Sequence, residues 1–386
     1  MITYISLLLY IIYSLVVLLY FNVRVLHTEW SDGFGGQERR VLAEINGLNE
    51  RGHRCALACR RHSRIFAEAS KLGINVYTLS MRHAFDLLSI WRLARILKKG
   101  GFNILNTHSG IDSWLGGFSS KIAQTPVLVR TRHLEYLIKR TPMNFIHYLP
   151  DMYLTCGDTM KNNLIENGGF PPDRVISIPT GIDKRFFHIQ RNDELRKAYG
   201  LLPHHIVVAN AAILRGSKGH EITLKAASIV LKTNPNVRFL IVGDGPKRKR
   251  LEATTVELGI ADRVIFTGFI HDVSSVYSFT DIFVLSSWSE GLPQSLMQAM
   301  AARLPVVATM VGSVPEIVLH EKTALAASAG DYEIIAKHIL RLIDDKELVN
   351  RLTENAFTLV SQKHTLEVML DKIEELYHKL LKNKGI

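Results

Sequence analysis

The sequence predicts an α/β protein built from two doubly wound parallel sheets, and three observations carry that expectation. Short apolar runs alternate with amphipathic stretches along nearly the whole chain, the pattern of strands feeding crossover helices. The chain has 386 residues, 47% of them hydrophobic, which is enough for two domains with separate cores. Pro/Gly punctuation at Ile178-Pro179-Thr180-Gly181-Ile182-Asp183, followed by the charged segment Asn192 to Lys197, divides the chain near its middle. The expected organisation is an N-terminal apolar segment (1–21), a first domain (22–180), a hinge (181–203), a second domain (204–362) and a terminal helix (363–386).

Residues Ile2 to Phe21 are almost wholly apolar and carry no charged side chain, about the length that crosses a bilayer. A cleaved signal peptide fits poorly, because no basic region precedes the run and no small-x-small site follows it. The first cations, Arg24, Arg39 and Arg40, come after the run, which puts the body of the protein on the cytoplasmic side. The expectation is an N-terminal apolar helix acting as a membrane anchor; a start codon placed too far upstream is the competing account.

Val23 to His27 is expected as the first strand. It runs into Thr28 to Glu38, a Gly-rich loop opening a helix, where Gly35 and Gly36 allow close backbone approach to a ligand. Gly52 ends that helix, and strands follow at 54–59, 74–79, 104–107, 127–130 and 152–155. A helix is expected over Leu87 to Lys99, with a basic face toward acceptor or membrane. Two strand ends are polar: Asn106-Thr107-His108-Ser109-Gly110 and Arg130-Thr131-Arg132-His133. A His just past a strand end in such a fold is a functional candidate.

In the second half, the strand 206–212 leads to Leu214-Arg215-Gly216-Ser217-Lys218-Gly219-His220. Two cations at a Gly-containing turn before a helix make a diphosphate clamp, Arg as a fork of donors and Lys as a point charge. The strand 238–242 ends in Gly243-Asp244-Gly245-Pro246. It lacks the third glycine of a dinucleotide fingerprint. Further strands are expected at 264–267, 281–285 and 305–308, the last of them before Gly312 to Glu316. Helices close the chain at 332–342, 346–360 and 366–382. The central stretch is Ser286 to Ala301. Pro293 is expected at the first helical position, leaving the amides near Gln294 and Ser295 free for an anion. Glu290 sits at a carboxyl strand end, and Gln298 lies about two turns further on.

This stretch resembles the signature of the retaining glycosyltransferases of GT-B fold, the family 4-like type that includes bacterial polysaccharide and lipopolysaccharide enzymes. That family carries Glu-x7-Glu around Glu-Gly-x-Pro; Glu290 matches the first Glu, and Gln298 replaces the second. The resemblance runs from about Asn22 to the C-terminus. It implies two Rossmann-like domains facing a cleft, with the last helix crossing back to the first. It implies that Gly35 and Gly36 lie near donor phosphate and acceptor, and that His133 hydrogen-bonds the donor sugar. Lys218 and Arg215 would neutralise the leaving diphosphate, although the usual Arg position is Ile213 here. Gly243 and Gly245 would line the nucleotide site. Glu290 would hold sugar hydroxyls beside the Gly291 and Leu292 backbone, and Gln298 the ribose.

The implied function is transfer of a glycosyl unit, of hexosyl type, from a nucleotide diphosphate sugar to an acceptor hydroxyl on a glycan or lipid-linked acceptor in cell-surface glycan synthesis. Anomeric configuration is retained and no metal or other cofactor is expected, since Asp-x-Asp and clustered His/Cys spacings are absent. The net charge of +11 favours polyanionic neighbours, membrane headgroups and phosphorylated substrates among them. No finger spacing or aromatic-basic motif suggests nucleic acid. Cys55, Cys59 and Cys156 form no disulfide framework, which favours a reducing compartment, here the cytoplasmic face of the inner or plasma membrane. A nucleotide-sugar 2-epimerase and a non-catalytic nucleotide-binding membrane scaffold are the alternatives.

Overall fold

The structure is a computed structural model and describes residues 22–134 and 136–386. The N-terminal segment 1–21, with the expected apolar helix and anchor, lies outside the described residues. Among those described, no helix is long and apolar enough to cross a membrane. The chain divides into two compact units. Among the described residues, one comprises 22–131, 141–153 and 370–386, and the other 132–134, 136–140 and 154–369.

The strands are β1 (Arg24–Glu29), β2 (Arg54–Cys59), β3 (Val76–Thr78), β4 (Ile104–Thr107), β5 (Val127–Arg132), β6 (Met152–Thr155), β7 (Val175–Ser177), β8 (Ile206–Ala211), β9 (Val237–Val242), β10 (Val264–Gly268), β11 (Ile282–Leu285), β12 (Val306–Thr309) and β13 (Leu325–Ala327). One sheet has the order β3-β2-β1-β4-β5-β6-β7 and the other β10-β9-β8-β11-β12-β13. The registered pairs are parallel.

The strands form where they do because both faces of each sheet are buried. In β8, Val207, Ala209 and Ala211 enter one core, while Val208 enters the core on the opposite face. β11 and β12 repeat the alternation, with Phe283, Leu285, Val306 and Ala308 on one face and Ile282, Val284 and Val307 on the other. Burial on both sides explains why these segments read as continuous apolar runs. The first unit has its own core, in which Leu26, Leu105 and Leu128 pack with Leu93 and Leu97 of the helix Leu87–Gly100.

Three details correct the sequence reading. β5 runs on to Arg132 instead of ending at Arg130, with both arginines buried, so the first residue past the strand is His133 rather than Thr131. β12 is followed by a further strand, β13, whose Leu-Ala-Ala carries no β-branched signal. Pro293 is the N-cap of the helix Gln294–Ala301, with extended ψ, one place before the first helical turn.

The terminal helix Leu366–Lys382 is tied down over residues 370–386 within the first unit. Leu370 packs on Gly47, where a Cβ would lie 2.4 Å from its Cδ1. Arg51 pairs with Asp371 at 2.7 Å and with Glu374 at 3.0 Å. Tyr377 Oη donates to Glu44 at 2.8 Å and accepts from Asn106 at 3.0 Å.

Candidate functional site

In the second sheet the chain winds outward from β8 to β9 and β10, then returns to the other side of β8 for β11. The boundary between β8 and β11 is therefore a topological switch point, where open α/β sheets hold their ligands beyond the carboxyl strand ends. Lys218, after β8, and Glu290, after β11, meet there. Lys218 Nζ lies 2.7 Å from both carboxylate oxygens of Glu290, and Ser287 Oγ donates to Oε1 at 2.5 Å. Thr309 Oγ1, at the end of β12, donates to the Ser287 carbonyl at 2.7 Å. Both members of the ion pair are largely buried, so their attraction is screened less than on a surface.

The two loops are joined backbone to backbone. Trp288 N–H donates to Ser217 O at 2.9 Å, and Ser286 Oγ donates to Gly219 O at 2.8 Å while accepting from Thr223 Oγ1 and Asn210 Nδ2. Gly219 has φ of 62°, and a Cβ there would sit 1.9 Å from Ser286 O, so no other residue fits. His220 opens the helix His220–Thr233 fully buried, and neither ring nitrogen finds a hydrogen-bond partner among the described residues. Burial, with Lys218 beside it, pushes its pKa down to about 4, so the ring is neutral at physiological pH.

The other candidates of this unit fall around the pair. Arg215 and Lys218 are the ends of one turn, Lys218 N–H donating to Arg215 O at 3.0 Å, and the Arg215 side chain is exposed. The Gly243–Gly245 turn braces that turn from behind: Leu214 N–H donates to Asp244 O, and Lys247 N–H to Leu214 O. Gly291 approaches the His133 backbone so closely that a Cβ would lie 2.9 Å from its carbonyl oxygen. The His133 Nδ1 stands 3.5 Å from the Cys156 thiol. Leu292 is buried in the core, and Gln298 is half-buried on the helix Gln294–Ala301. Arg132 is spent on its own loop, donating to Leu134 O and Tyr136 O.

In the first sheet the switch point lies between β1 and β4. The Gly35–Gly36 loop follows β1 there. It is already braced: Gly35 N–H donates to Glu38 at 2.7 Å, and Ser31 N–H and Gln37 Nε2 donate to Glu29 at 2.8 and 2.6 Å. Beside it, Asp112 accepts from Thr28 Oγ1, His108 N–H and both Ser109 donors at 2.7–2.9 Å. Burial pushes both carboxyls up, Glu29 to about 8. Asp112, with four donors and Arg130 near, is the member that carries the charge, and Glu29 holds a proton. His27 and His108 stack beneath, with Nδ1 and Nε2 3.0 Å apart.

Sequence reasoning missed Glu29, Asp112 and His220. Asp112 had a readable signal, Ser109-x-x-Asp112 at a helix start, which is a capping-box spacing. Glu29 and His220 had none.

Two family profiles match the chain. "Glycosyltransferase Family 4" covers residues 34–186 and "Glycosyl transferases group 1" covers residues 191–358, so the two together span most of the length. The chain belongs to the group 1 and family 4 glycosyltransferases. Its relatives include the Escherichia coli UDP-Gal:alpha-D-GlcNAc-diphosphoundecaprenol alpha-1,3-galactosyltransferase, 24% identical over 382 residues, covering 94% of this chain and 98% of that protein. Solved structures of the same fold include a Rickettsia africae glycosyltransferase (TM-score 0.84, 20% identity, 94% of this chain and 100% of that one). Another is Anabaena HepE in complex with UDP and glucose (TM-score 0.81, 19% identity, 92% and 99%). The protein is thus a glycosyltransferase with two parallel-sheet, Rossmann-like domains. Neither the epimerase nor the non-catalytic scaffold is favoured by these relatives.

Proposed function

We propose that this glycosyltransferase moves a hexosyl unit from a nucleoside diphosphate sugar to a hydroxyl of a glycan or lipid-linked acceptor, with retention of anomeric configuration and without a metal. The observation that carries the reading is the Lys218–Glu290 pair at the second switch point, where a cation and a carboxylate acceptor stand together at the strand ends. Lys218, with Arg215 across the same turn, meets the departing diphosphate. The amides at the start of Gln294–Ala301 add fixed dipoles. Glu290 accepts from sugar hydroxyls beside the backbone of Gly291 and Leu292, Gln298 holds the ribose, and His133 orients the sugar. The Gly243–Gly245 turn flanks the nucleotide and the Gly35–Gly36 loop the phosphates and acceptor. The HepE complexes, with UDP and glucose and with UDP-glucose, and the diphosphoundecaprenol named for the Escherichia coli relative support a nucleotide-sugar donor and a lipid-linked acceptor. Residues 1–21 would hold the enzyme on the cytoplasmic face of the membrane.

A panel of nucleotide sugars tested by thermal shift should contain one that raises the melting temperature, since a ligand of the native state stabilises by mass action. Turnover of that donor in the presence of EDTA, followed by NMR, should give product with the donor's anomeric configuration. Absence of any stabilising nucleotide sugar would overturn the whole reading. An inverted product, or loss of turnover in EDTA, would overturn its stereochemical or metal-free part.

A further inference from the structure

The helix Asp158–Glu166 has no cap of its own. Its N-cap is Gly157, which carries no side chain to accept from the first amides. Gly157 has an extended φ of −160°, a conformation open to any residue, so the backbone does not demand glycine. Space does. A Cβ there would lie 2.3 Å from Ser313 Oγ and 2.9 Å from Glu316 Oε1. The bare Gly157 thus admits the loop after β12, and that loop brings the missing cap. Glu316 accepts from Thr159 N–H at 2.8 Å through Oε1 and from Asp158 N–H at 3.0 Å through Oε2. A carboxylate held by two amides at a helix start has charge-assisted hydrogen bonds and the helix dipole in its favour. A Ser or Asp at position 157 would serve the stability of the helix alone. A cap drawn from the far end of the second sheet points to a further task.

That task follows from what the capped end touches. Cys156, just before Gly157, donates its thiol to Arg132 O at 3.2 Å and stands 3.5 Å from His133 Nδ1. Met160 lies in the first turn of the helix. It and the His133 backbone both press on Gly291, where a Cβ would lie 3.4 Å from Met160 Cε and 2.9 Å from His133 O. Gly291 is the residue after Glu290. One helix start therefore sets a thiol beside the His133 ring and a methyl group against Gly291. His133, Cys156, Met160, Gly291 and Glu316 all belong to one compact unit, so these contacts form a continuous path within it.

We propose that Glu316 is a positioning residue for glycosyl transfer: by capping Asp158–Glu166 it fixes Cys156, and through Cys156 the His133 ring, beside Gly291. Glu316 acts through His133 and not on the sugar itself. The inference rests on the proposed role of His133 in orienting the donor sugar, and it adds the residue that holds His133 in place.

The full chain is isotope-labelled in its histidine rings, and the His133 resonance is assigned with His133→Ala. Glu316→Ala should move that resonance with no nucleotide present. With the nucleotide sugar selected by thermal shift, Glu316→Ala should lower kcat about tenfold or more and leave UDP affinity within about twofold, because misplacement acts on the reacting geometry. In a His133→Ala background the same change should lower kcat by less than about twofold, since the residue it acts through is gone. Glu316→Gln keeps one acceptor oxygen for two amides, so its effects should fall between. It replaces Glu316→Ala if that variant melts below the assay temperature. An unmoved His133 resonance would overturn the proposal. So would an equal fall in kcat in both backgrounds, or a UDP affinity that falls in step with kcat, either of which leaves Glu316 a helix cap only. If no nucleotide sugar turns over, the donor reading fails, and the His133 resonance alone decides whether Glu316 positions that ring.

Discussion

The two switch points have the same topology and opposite chemistry. Between β8 and β11 a buried cation is matched to a carboxylate, and the neighbouring His220 is held neutral by burial. Between β1 and β4 two carboxyls are buried within electrostatic reach of each other, and one of them, Glu29, keeps its proton up to about 8. The difference teaches what each loop is prepared to meet. The second-unit site offers a positive partner and helix-start dipoles, which suits a group that becomes more negative during reaction. The first-unit site offers acceptors and a proton on a braced Gly-rich loop, which suits the neutral hydroxyls of an acceptor. Equal topology therefore does not make the two sites interchangeable.

The largest effect expected from breaking this contrast is at Lys218. Lys218→Ala leaves Glu290 buried and uncompensated, a loss of about 3–5 kcal/mol for a well-buried pair, with partial exposure of Lys218 favouring the lower end. Donor binding should fall as well. Lys218→Ala/Glu290→Gln should recover much of the melting temperature without recovering transfer. If the double variant also regains transfer, the pair serves the fold and not the reaction.

Two pH profiles sharpen the contrast, because the groups act with opposite sign. Glu29 has its folded pKa raised to about 8 from 4.5, so the folded state binds the extra proton between those values. Its contribution is fully present below 4.5 and is lost as pH rises through 8. His220 has its folded pKa lowered to about 4 from 6.5, so the unfolded state binds the extra proton in that window. Its contribution is present above 6.5 and is lost as pH falls toward 4. At 1.36 kcal/mol per unit, the effects are of the order of 3–5 kcal/mol for Glu29 and about 3 kcal/mol for His220. Chemical denaturation should then show Glu29→Gln removing a fall in stability as pH rises from 4.5 to 8, and His220→Gln removing a fall as pH drops from 6.5 to 4, the two slopes opposing each other where the windows overlap. A variant that shifts the whole curve without changing its shape would remove that residue from the account.

Much of the fold was legible because its signal is local. Strands 54–59, 104–107 and 152–155 and the helix 366–382 have the expected bounds, each an apolar run or amphipathic stretch closed by polar or Gly residues. β13 was not legible, since three residues of Leu and Ala carry neither length nor β-branching. The candidate site was legible as residues but not as contacts. Lys218 and Glu290 stand 72 positions apart, and nothing local says that one binds the other. Asp112 reaches Thr28 Oγ1, and its charge reaches Glu29, only because β1 and β4 are neighbours in the sheet, a long-range pairing that no short motif encodes.

The smallest effect concerns Gln298, where a Glu would complete the family's second carboxylate. A Glu there accepts from both ribose hydroxyls with the strength of a charged acceptor. Gln keeps one acceptor oxygen and adds two donors, so in the proposed reading a ribose could still bind it, one hydroxyl donating to it and the other accepting. Gln also spares the proposed diphosphate site one further negative charge. The two effects oppose each other on a half-buried side chain, so Gln298→Glu should stay active and change donor affinity by about 1 kcal/mol or less, the scale of one net hydrogen bond. Gln298→Leu should cost more, because both ribose hydroxyls then lose a partner. Calorimetry with the donor found by thermal shift reads both changes. If Gln298→Leu binds and turns over that donor like the parent, position 298 does not hold the ribose. The comparison with the first-unit site then rests on Lys218 and Glu290 alone.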